Sequence, residues 1–240
     1  MRSNRGNAPI EELSDQLSVH MPGWKRALDV TCSVAALPVL ALFALLTAIV
    51  MKFTSAGPVF FRQERVGFRG RRFQCYKFRT MHVGADSSVH RVHCDHLITS
   101  NAPMVKMDVR GDSRLIPGGR LIRASGLDEL PQIINVLRGE MSLVGPRPCV
   151  PYEYEKYSAR QRTRFNAVPG LTGLWQVSGK NRTTFDEMIR LDIQYAEHTA
   201  LLLDLQIMLK TFPALLVQFL DARNKSKPAI QPVRPVAAET

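Results

Sequence analysis

Cysteine is scarce. Cys32, Cys75, Cys94 and Cys149 are widely spaced and form no C-x-x-C pair. That spacing offers neither a disulfide framework nor a four-cysteine zinc site, and it suits a reducing compartment. Acidic residues are outnumbered, 21 Asp and Glu against 32 Lys and Arg, giving a net charge of +11. Such an excess asks for a polyanionic partner; charge alone leaves nucleic acid, an anionic membrane surface and a phosphate-rich substrate open. No internal repeat is present, which excludes solenoids and propellers. No small-residue cleavage site follows the first long apolar run, so a cleaved secretory signal is not expected. What remains, 240 residues of which 45% are apolar, is enough for one substantial domain with its own core.

The ends are poor in packing residues. Residues 1–23 are polar without a sustained period, and residues 223–240 carry Pro228, Pro232 and Pro235 with little that could pack; both are expected to be disordered tails. From Val30 to Met51 there is no charged residue, a run long enough for a membrane helix, and residues 24–52 are assigned to it. Pro38 lies inside the run, where it removes the bond to the Val34 carbonyl and clashes with that turn. Lys25 and Arg26 precede the run, and Lys52, Arg62, Arg65, Arg69, Arg71, Arg72, Lys77 and Arg79 follow it. With both flanks basic, the positive-inside tendency favours a re-entrant helix broken at Pro38 over a kinked crossing.

Beyond it, Pro58 to Phe61 and Phe73 to Phe78 read as short strands joined by a turn around Gly67 to Gly70, a basic hairpin whose arginines face lipid headgroups, substrate phosphates or only water. A helix is expected from Thr184, carrying Phe185, Met188, Ile189, Leu191 and Ile193. The apolar stretch from Ala200 to Leu220 is interrupted by Asp204, Lys210 and Pro213, so it reads as short amphipathic helices. Trp175 suits an interfacial anchor or a core position equally.

The stretch Ser125 to Gln132, followed by Ile133, Ile134, Leu137 and Gly139, reads as a helix start. Leu130, Ile133, Ile134 and Leu137 follow the i, i+3, i+4, i+7 pattern; Pro131 suits a first turn and Gly139 a stop. Asp128 and Glu129 then sit at the N-terminal end, where acidic residues ordinarily just complement the helix dipole, worth roughly 0.3–1 kcal/mol each. The basic equipment nearby, Arg123 before the pair and Gly145-Pro146-Arg147-Pro148 after the helix, points instead to a phosphate site.

Several further motifs accompany this one: Lys25 to Asp29, Gly57 to Gly67, Tyr76 to Met81, Leu127 to Gln132, Gly139 to Pro148, and Pro169 to Gly179. In this order, and covering Trp24 to about Leu216, they resemble the bacterial sugar transferases, the monotopic phosphoglycosyl transferases that begin exopolysaccharide and O-antigen repeat-unit assembly. The resemblance implies Asp128 as nucleophile and Glu129 as its partner and a ligand of Mg2+. It implies Lys77, Arg79, Arg123 and Arg147 as the substrate-binding set. The implied reaction moves hexose-1-phosphate from a UDP-sugar to undecaprenyl phosphate with release of UMP, at the cytoplasmic face of the bacterial inner membrane, with no nucleic-acid partner. The short N-terminus is similar to compact exopolysaccharide-priming forms, which favours glucose or galactose. The expected fold is α/β: one small catalytic domain over residues 53–222, with amphipathic interfacial helices and the re-entrant membrane helix. The oligomeric state, a homo-oligomer included, is left open.

Leu37 stands where the family often places serine before the proline, Lys180 where arginine is usual, and Ala124 and Gly126 are smaller than common. His90, His93, Cys94, Asp95 and His96 invite a metal reading, but the segment lies where the resemblance fades and lacks a second ligand pair, so a solvated loop is expected. Two other readings remain. In one the chain is a basic membrane-anchored binding protein without chemistry. In the other Asp128 acts as a general base with no covalent intermediate.

Overall fold

The longest apolar run of the sequence forms helix α1, Gly23–Thr54, in a computed structural model that describes residues 21–86, 88–104 and 112–224. Residues 1–20 and 225–240, which hold most of both expected tails, lie outside the described residues. After α1 come strands β1 (Phe60–Val66) and β2 (Arg72–Phe78), then helices α2 (Ser88–Ser100), α3 (Gly119–Ser125) and α4 (Ile133–Arg138). Strand β3 (Ser142–Val144), helices α5 (Pro151–Lys156) and α6 (Ala159–Arg162), and strand β4 (Gly170–Thr172) follow. Helices α7 (Leu174–Val177), α8 (Phe185–Glu197) and α9 (Leu201–Asn224) complete the order.

Helices and strands are mixed, as expected, with few strands. β1 and β2 form an antiparallel hairpin with Phe61 opposite Lys77 and Arg62 opposite Tyr76, and β3 pairs in parallel with β4. The hairpin turns at Gly67 to Gly70 as anticipated, although β1 begins at Phe60 and runs through the basic stretch to Val66. Thr184 caps α8 with its side chain, in a reciprocal box with Glu187, which satisfies two of the donors that every helix start leaves open.

α1 carries Pro38 within one continuous helix; the interruption expected there does not end the element. The same holds for α9, which passes through Pro213 as a single helix where several short ones were expected. A proline costs a helix about 3 kcal/mol, and bonded turns on both sides of these long apolar runs outweigh that. Both helices are long and apolar enough to cross a membrane, and only 11% of each apolar window is buried.

Their ends are another matter. At its start, α1 buries Lys25, Asp29 and Ser33; towards its end it buries Thr47 and Met51. Met51 packs with Phe78, Ile116 and Ile122. Lys25 Nζ donates to Asp204 Oδ2 at 2.5 Å, to Tyr195 Oη at 2.9 Å and to the Val144 carbonyl at 2.8 Å. Arg26 donates to the carbonyls of Val136 and Leu137, both at 2.6 Å, capping α4. Between the two ends Val34, Leu37, Val39, Leu42, Phe43, Leu45 and Leu46 are exposed. α9 likewise exposes Leu202, Leu205, Leu209, Phe212, Leu216 and Leu220, while Asp204 and Ile207 face inward.

The main core gathers Val66, Cys149, Tyr157, Phe165, Trp175, Phe185, Met188 and Ile189. Trp175 belongs to it, and its indole donates to Thr183 Oγ1 at 2.7 Å, so the core position is the one it takes. Two glycine-bearing motifs meet at the β3–β4 pair. A Cβ on Gly170 would overlap the backbone nitrogen of Gly145, and one on Gly145 the carbonyl of Val168. Gly170→Ala is therefore expected to cost well over the roughly 1–3 kcal/mol of ordinary overpacking, because both colliding atoms are backbone. Yield of folded protein in detergent should collapse, whereas Gly23→Ala, with nothing within 4 Å of its Cβ, should express as the parent.

Candidate active site

α3 ends at Gly126, whose φ of 77° lies in the left-handed region that glycine enters without steric cost. The chain thereby reverses into a 3₁₀ turn, Leu127–Gln132, which holds Asp128, Glu129 and Pro131 before α4 takes over at Ile133. The Glu129 amide donates to the Gly126 carbonyl at 3.0 Å. Gly139, with φ 79°, closes α4, so the expected start and stop both appear, the first turn being tighter than α. Leu127 and Leu130 flank the acidic pair and pack on the cluster that contains Met51 of α1. The pair is thus anchored to the end of the membrane-type helix.

Asp128 is 9% exposed. Glu129 is more open and takes Lys77 Nζ at 3.3 Å; at that exposure the pair is weak in stability terms. Arg123, in the last turn of α3, reaches Thr80 Oγ1 from Nη1 at 3.5 Å. Thus Lys77 and Arg123 come from elements packed on the turn that holds the acidic pair.

The other two basic residues of the expected set are engaged with the protein. Arg79 is buried and donates from Nε to the Pro58 carbonyl at 2.6 Å and from Nη2 to the Ala56 carbonyl at 2.9 Å. Its guanidinium holds the segment by which the chain leaves α1. Arg147 donates from Nη1 to Glu153 Oε2 at 3.2 Å, its amide donates to Asp192 Oδ2, and its carbonyl accepts from Arg164 Nη2 at 2.8 Å. Arg164 and Asp192 are themselves a fully buried ion pair. Burial works against the charge on Glu153, but the guanidiniums of Arg147 and Arg65 hold its carboxyl below the ordinary range. Burial raises the Cys75 thiol, which also feels the charges of Lys77, Arg65, Glu129 and Arg147.

The histidine-rich stretch is helical rather than the loop expected of it. α2 turns Cys94 to Glu153 Oε1 at 3.3 Å and His90 to Tyr152 Oη at 2.5 Å. Burial, with Arg147 nearby, lowers His90 to about 4, and burial raises Cys94 to about 12. The imidazole is neutral and the thiol unreactive at ordinary pH, so α2 covers the Arg147–Glu153 pair without adding a nucleophile.

Sequence reasoning missed Glu153, Arg164 and Asp192. Asp192 had a signal: it falls on the same stripe of α8 as Phe185, Met188, Ile189 and Tyr195, all buried, and a carboxylate on a buried stripe needs a partner. Arg164 and Glu153 had none.

Among the described residues, no group of three or more His, Cys, Asp or Glu is gathered as a metal would need for an all-protein cage. A magnesium ion at a phosphate site takes one or two carboxylates, with phosphate and water as its other ligands. Glu129, the more open of the acidic pair, fits that donor set.

A profile of the family "Bacterial sugar transferase" matches residues 20–218. The chain is 45% identical over 203 residues to the UDP-glucose:undecaprenyl-phosphate glucose-1-phosphate transferase of Caulobacter vibrioides, covering 80% of this chain and 69% of that protein. It is 40% identical over 192 residues to the exopolysaccharide production protein ExoY of Rhizobium meliloti, covering 80% and 84%. It is also 40% identical over 194 residues to the galactosyl transferase CpsE of Streptococcus agalactiae, covering 80% of this chain and 42% of CpsE. The apolar α1 and these relationships point to association with a membrane. On these matches the chain belongs to the bacterial sugar transferase family and is an enzyme of the sugar-phosphate transferase type.

Proposed function

We propose that this protein transfers hexose-1-phosphate, glucose or galactose, from a UDP-sugar to undecaprenyl phosphate, as the first step of exopolysaccharide repeat-unit assembly. The observation that carries the reading is the acidic pair Asp128–Glu129, set beside Lys77 and Arg123 on a turn that packs against Met51 of α1. One substrate is soluble and the other hangs from the bilayer by its prenyl tail. The reacting groups must therefore meet at the interface, and the packing of the acidic turn on the end of α1 supports that reading.

An oxygen of the Asp128 carboxylate attacks the sugar-bearing phosphorus of the donor. The phosphoanhydride bond to UMP breaks, and UMP leaves with the electron pair. The phosphate oxygen of the polyprenyl carrier then attacks the same phosphorus, and the bond to Asp128 breaks, restoring the carboxylate. Anion must approach anion in both steps, so Lys77 and Arg123 lower the barrier by neutralising donor phosphates before and during attack. Glu129, with donor phosphates, would hold a magnesium ion, which supplies charge neutralisation at the departing UMP oxygen when bound. Arg147, fixed by Glu153 and the Arg164–Asp192 pair, offers a further cation for the donor. Arg79 serves by fixing the exit of α1. Each cycle exchanges one phosphoanhydride for another, so the equilibrium lies near unity and later steps draw the product forward.

The geometry of α1 supports a re-entrant rather than a crossing helix. Lys25 at its start and Met51 near its end both pack on the same folded body. A body on one face of the bilayer does not reach both ends of a helix that crosses about 30 Å of hydrocarbon. Pro38, in the exposed apolar middle, is the natural place for the helix to bend. Lys25, Arg26 and Lys52 at the two ends then lie on the cytoplasmic side.

The test is UMP release by the detergent-purified protein with a panel of UDP-sugars, magnesium and undecaprenyl phosphate. One hexose donor should give UMP and a lipid-linked product. Folded protein that releases no UMP from any donor would overturn the proposal.

A further inference from the structure

The hairpin carries more arginine than the chemistry above uses, and the structure separates these residues by what they touch. Arg65 is buried and bonded to Gln63 and the Pro148 carbonyl; Arg72 pairs with Glu64 at 3.3 Å. Arg62 and Arg138 do neither. The guanidinium carbon of Arg62 lies 5.4 Å from the centre of the Tyr76 ring, and that of Arg138 lies 5.3 Å from the same centre. Arg138 also donates to Tyr76 Oη at 2.7 Å. Two like charges are thus collected on one half-buried ring, although one stands on β1 and the other ends α4.

The neighbouring carboxylates are spoken for. Glu64 takes Arg72, Glu129 takes Lys77, and Glu140 accepts from Asn135 Nδ2 at 2.6 Å. Bringing two guanidiniums together costs Coulomb energy, and because both arginines are exposed, contact with the ring returns little of it. An anion between them returns more, because guanidinium forks match phosphate oxygens.

Position decides which phosphate. The carbonyls of Val136 and Leu137, just before Arg138, are held by Arg26 from the first turn of α1. Two residues beyond Tyr76, Phe78 packs on Met51 at the other end of α1. Tyr76 therefore stands on the belt where the membrane helix leaves and rejoins the body. Strand alternation turns Tyr76 and Lys77 to opposite faces of β2, so this cluster is separate from the acidic pair. Phe60, exposed and on the same face of the hairpin as Arg62, Tyr76 and Phe78, continues the belt along β1 as an aromatic side chain suited to the headgroup level.

We propose that Arg62, Tyr76 and Arg138 form a binding site for the phosphate of an anionic phospholipid headgroup, which seats the catalytic body on the bilayer independently of turnover. The inference rests on membrane association through α1 and not on the identity of the donor.

The test is titration of the full-length, maltoside-solubilised protein with short-chain dihexanoyl phosphatidylglycerol, read by calorimetry and thermal shift, with dihexanoyl phosphatidylcholine as the zwitterionic counterpart. The anionic lipid should bind in preference, and Arg62→Gln and Arg138→Gln should each weaken it about fivefold, as expected for one basic residue at an anionic surface. Arg71→Gln, an exposed arginine of the same hairpin, should leave binding unchanged. Asp128→Asn should also bind as the parent, which keeps this result apart from any failure of the transferase reading. Equal binding of the two lipids, or an equal loss in Arg71→Gln, would show diffuse charge and overturn the site. Displacement of the lipid by millimolar inorganic phosphate would reassign it to soluble phosphates and overturn the lipid proposal.

Discussion

Asp128→Asn is expected to lower UMP release from the preferred UDP-sugar by about 10³–10⁶-fold, the range seen when an enzyme loses its nucleophile. The substitution keeps the size and most of the hydrogen bonding of the side chain and removes only the anionic oxygen that must bond to phosphorus. Asp128 is nearly buried on a turn fixed by Leu127 and Leu130, so the amide should take the same place. The variant should unfold in detergent as cooperatively as the parent. Donor affinity should survive, because Lys77, Arg123 and Arg147 are untouched and one negative charge has been removed from their neighbourhood. An intact fold, retained donor binding and lost turnover together separate a chemical role from a structural one. A variant with a tenth of the parent rate would be inconsistent with covalent attack by this residue.

The second large effect lies away from the chemistry, where α1 enters the body. Lys25 and Asp204 are almost fully buried and bond at 2.5 Å, with Tyr195 donating to Asp204 Oδ1 at 2.6 Å. Lys25→Met leaves a buried carboxylate without its cation, and Asp204→Leu leaves a buried ammonium without its anion. Each should cost about 3–5 kcal/mol, a fall of roughly 6–20 °C in the unfolding midpoint for a chain of this size. The double variant should recover much of the loss, since an apolar pair of similar volume avoids desolvating either charge. Tyr195 retains the Val144 carbonyl at 3.1 Å as a partner. Thermal unfolding of both singles and the double in detergent checks this. Losses that simply add would mean that the two residues act independently, against the geometry.

These two sites differ in how well the sequence announced them. Asp128 and Glu129 were legible because local signals agree around them: Pro131 in a first turn, Gly139 as a stop, an apolar stripe between them, and basic residues on both sides. Each signal is short-range chemistry that a chain carries wherever it folds. The helix from Thr184 was legible for the same reason, its cap and its stripe lying within a few residues of each other. The continuity of α1 and α9 was not, because a proline rule states a local penalty and says nothing of the bonded turns that outweigh it. The partner of Lys25 is 179 residues away, and nothing local to Asp204 names it. Nor could spacing tell that Arg79 would be drawn to the carbonyls of the segment after α1, or that α2 would set Cys94 on Glu153. Those contacts depend on how elements dock.

The apolar helix α1 shows the same division. Its apolar length and basic flanks are sequence facts, whereas the packing of both ends on one body is tertiary. That packing makes the resemblance of the motifs and the position of the acidic pair mutually consistent. The hydrophobic middle of α1 and the outward face of α9 are both exposed, as the proposed use of a lipid-borne phosphate would require.

The most direct test of the account is isotope exchange: labelled UMP incubated with the preferred UDP-sugar, magnesium and purified protein, with no polyprenyl phosphate present. A sugar-phosphoryl Asp128 can be attacked by UMP as well as by the lipid, so label should enter the UDP-sugar, and Asp128→Asn should show none. Lipid-linked product formed when acceptor is added, but no exchange in its absence, would contradict covalent attack and leave Asp128 as a general base for direct transfer.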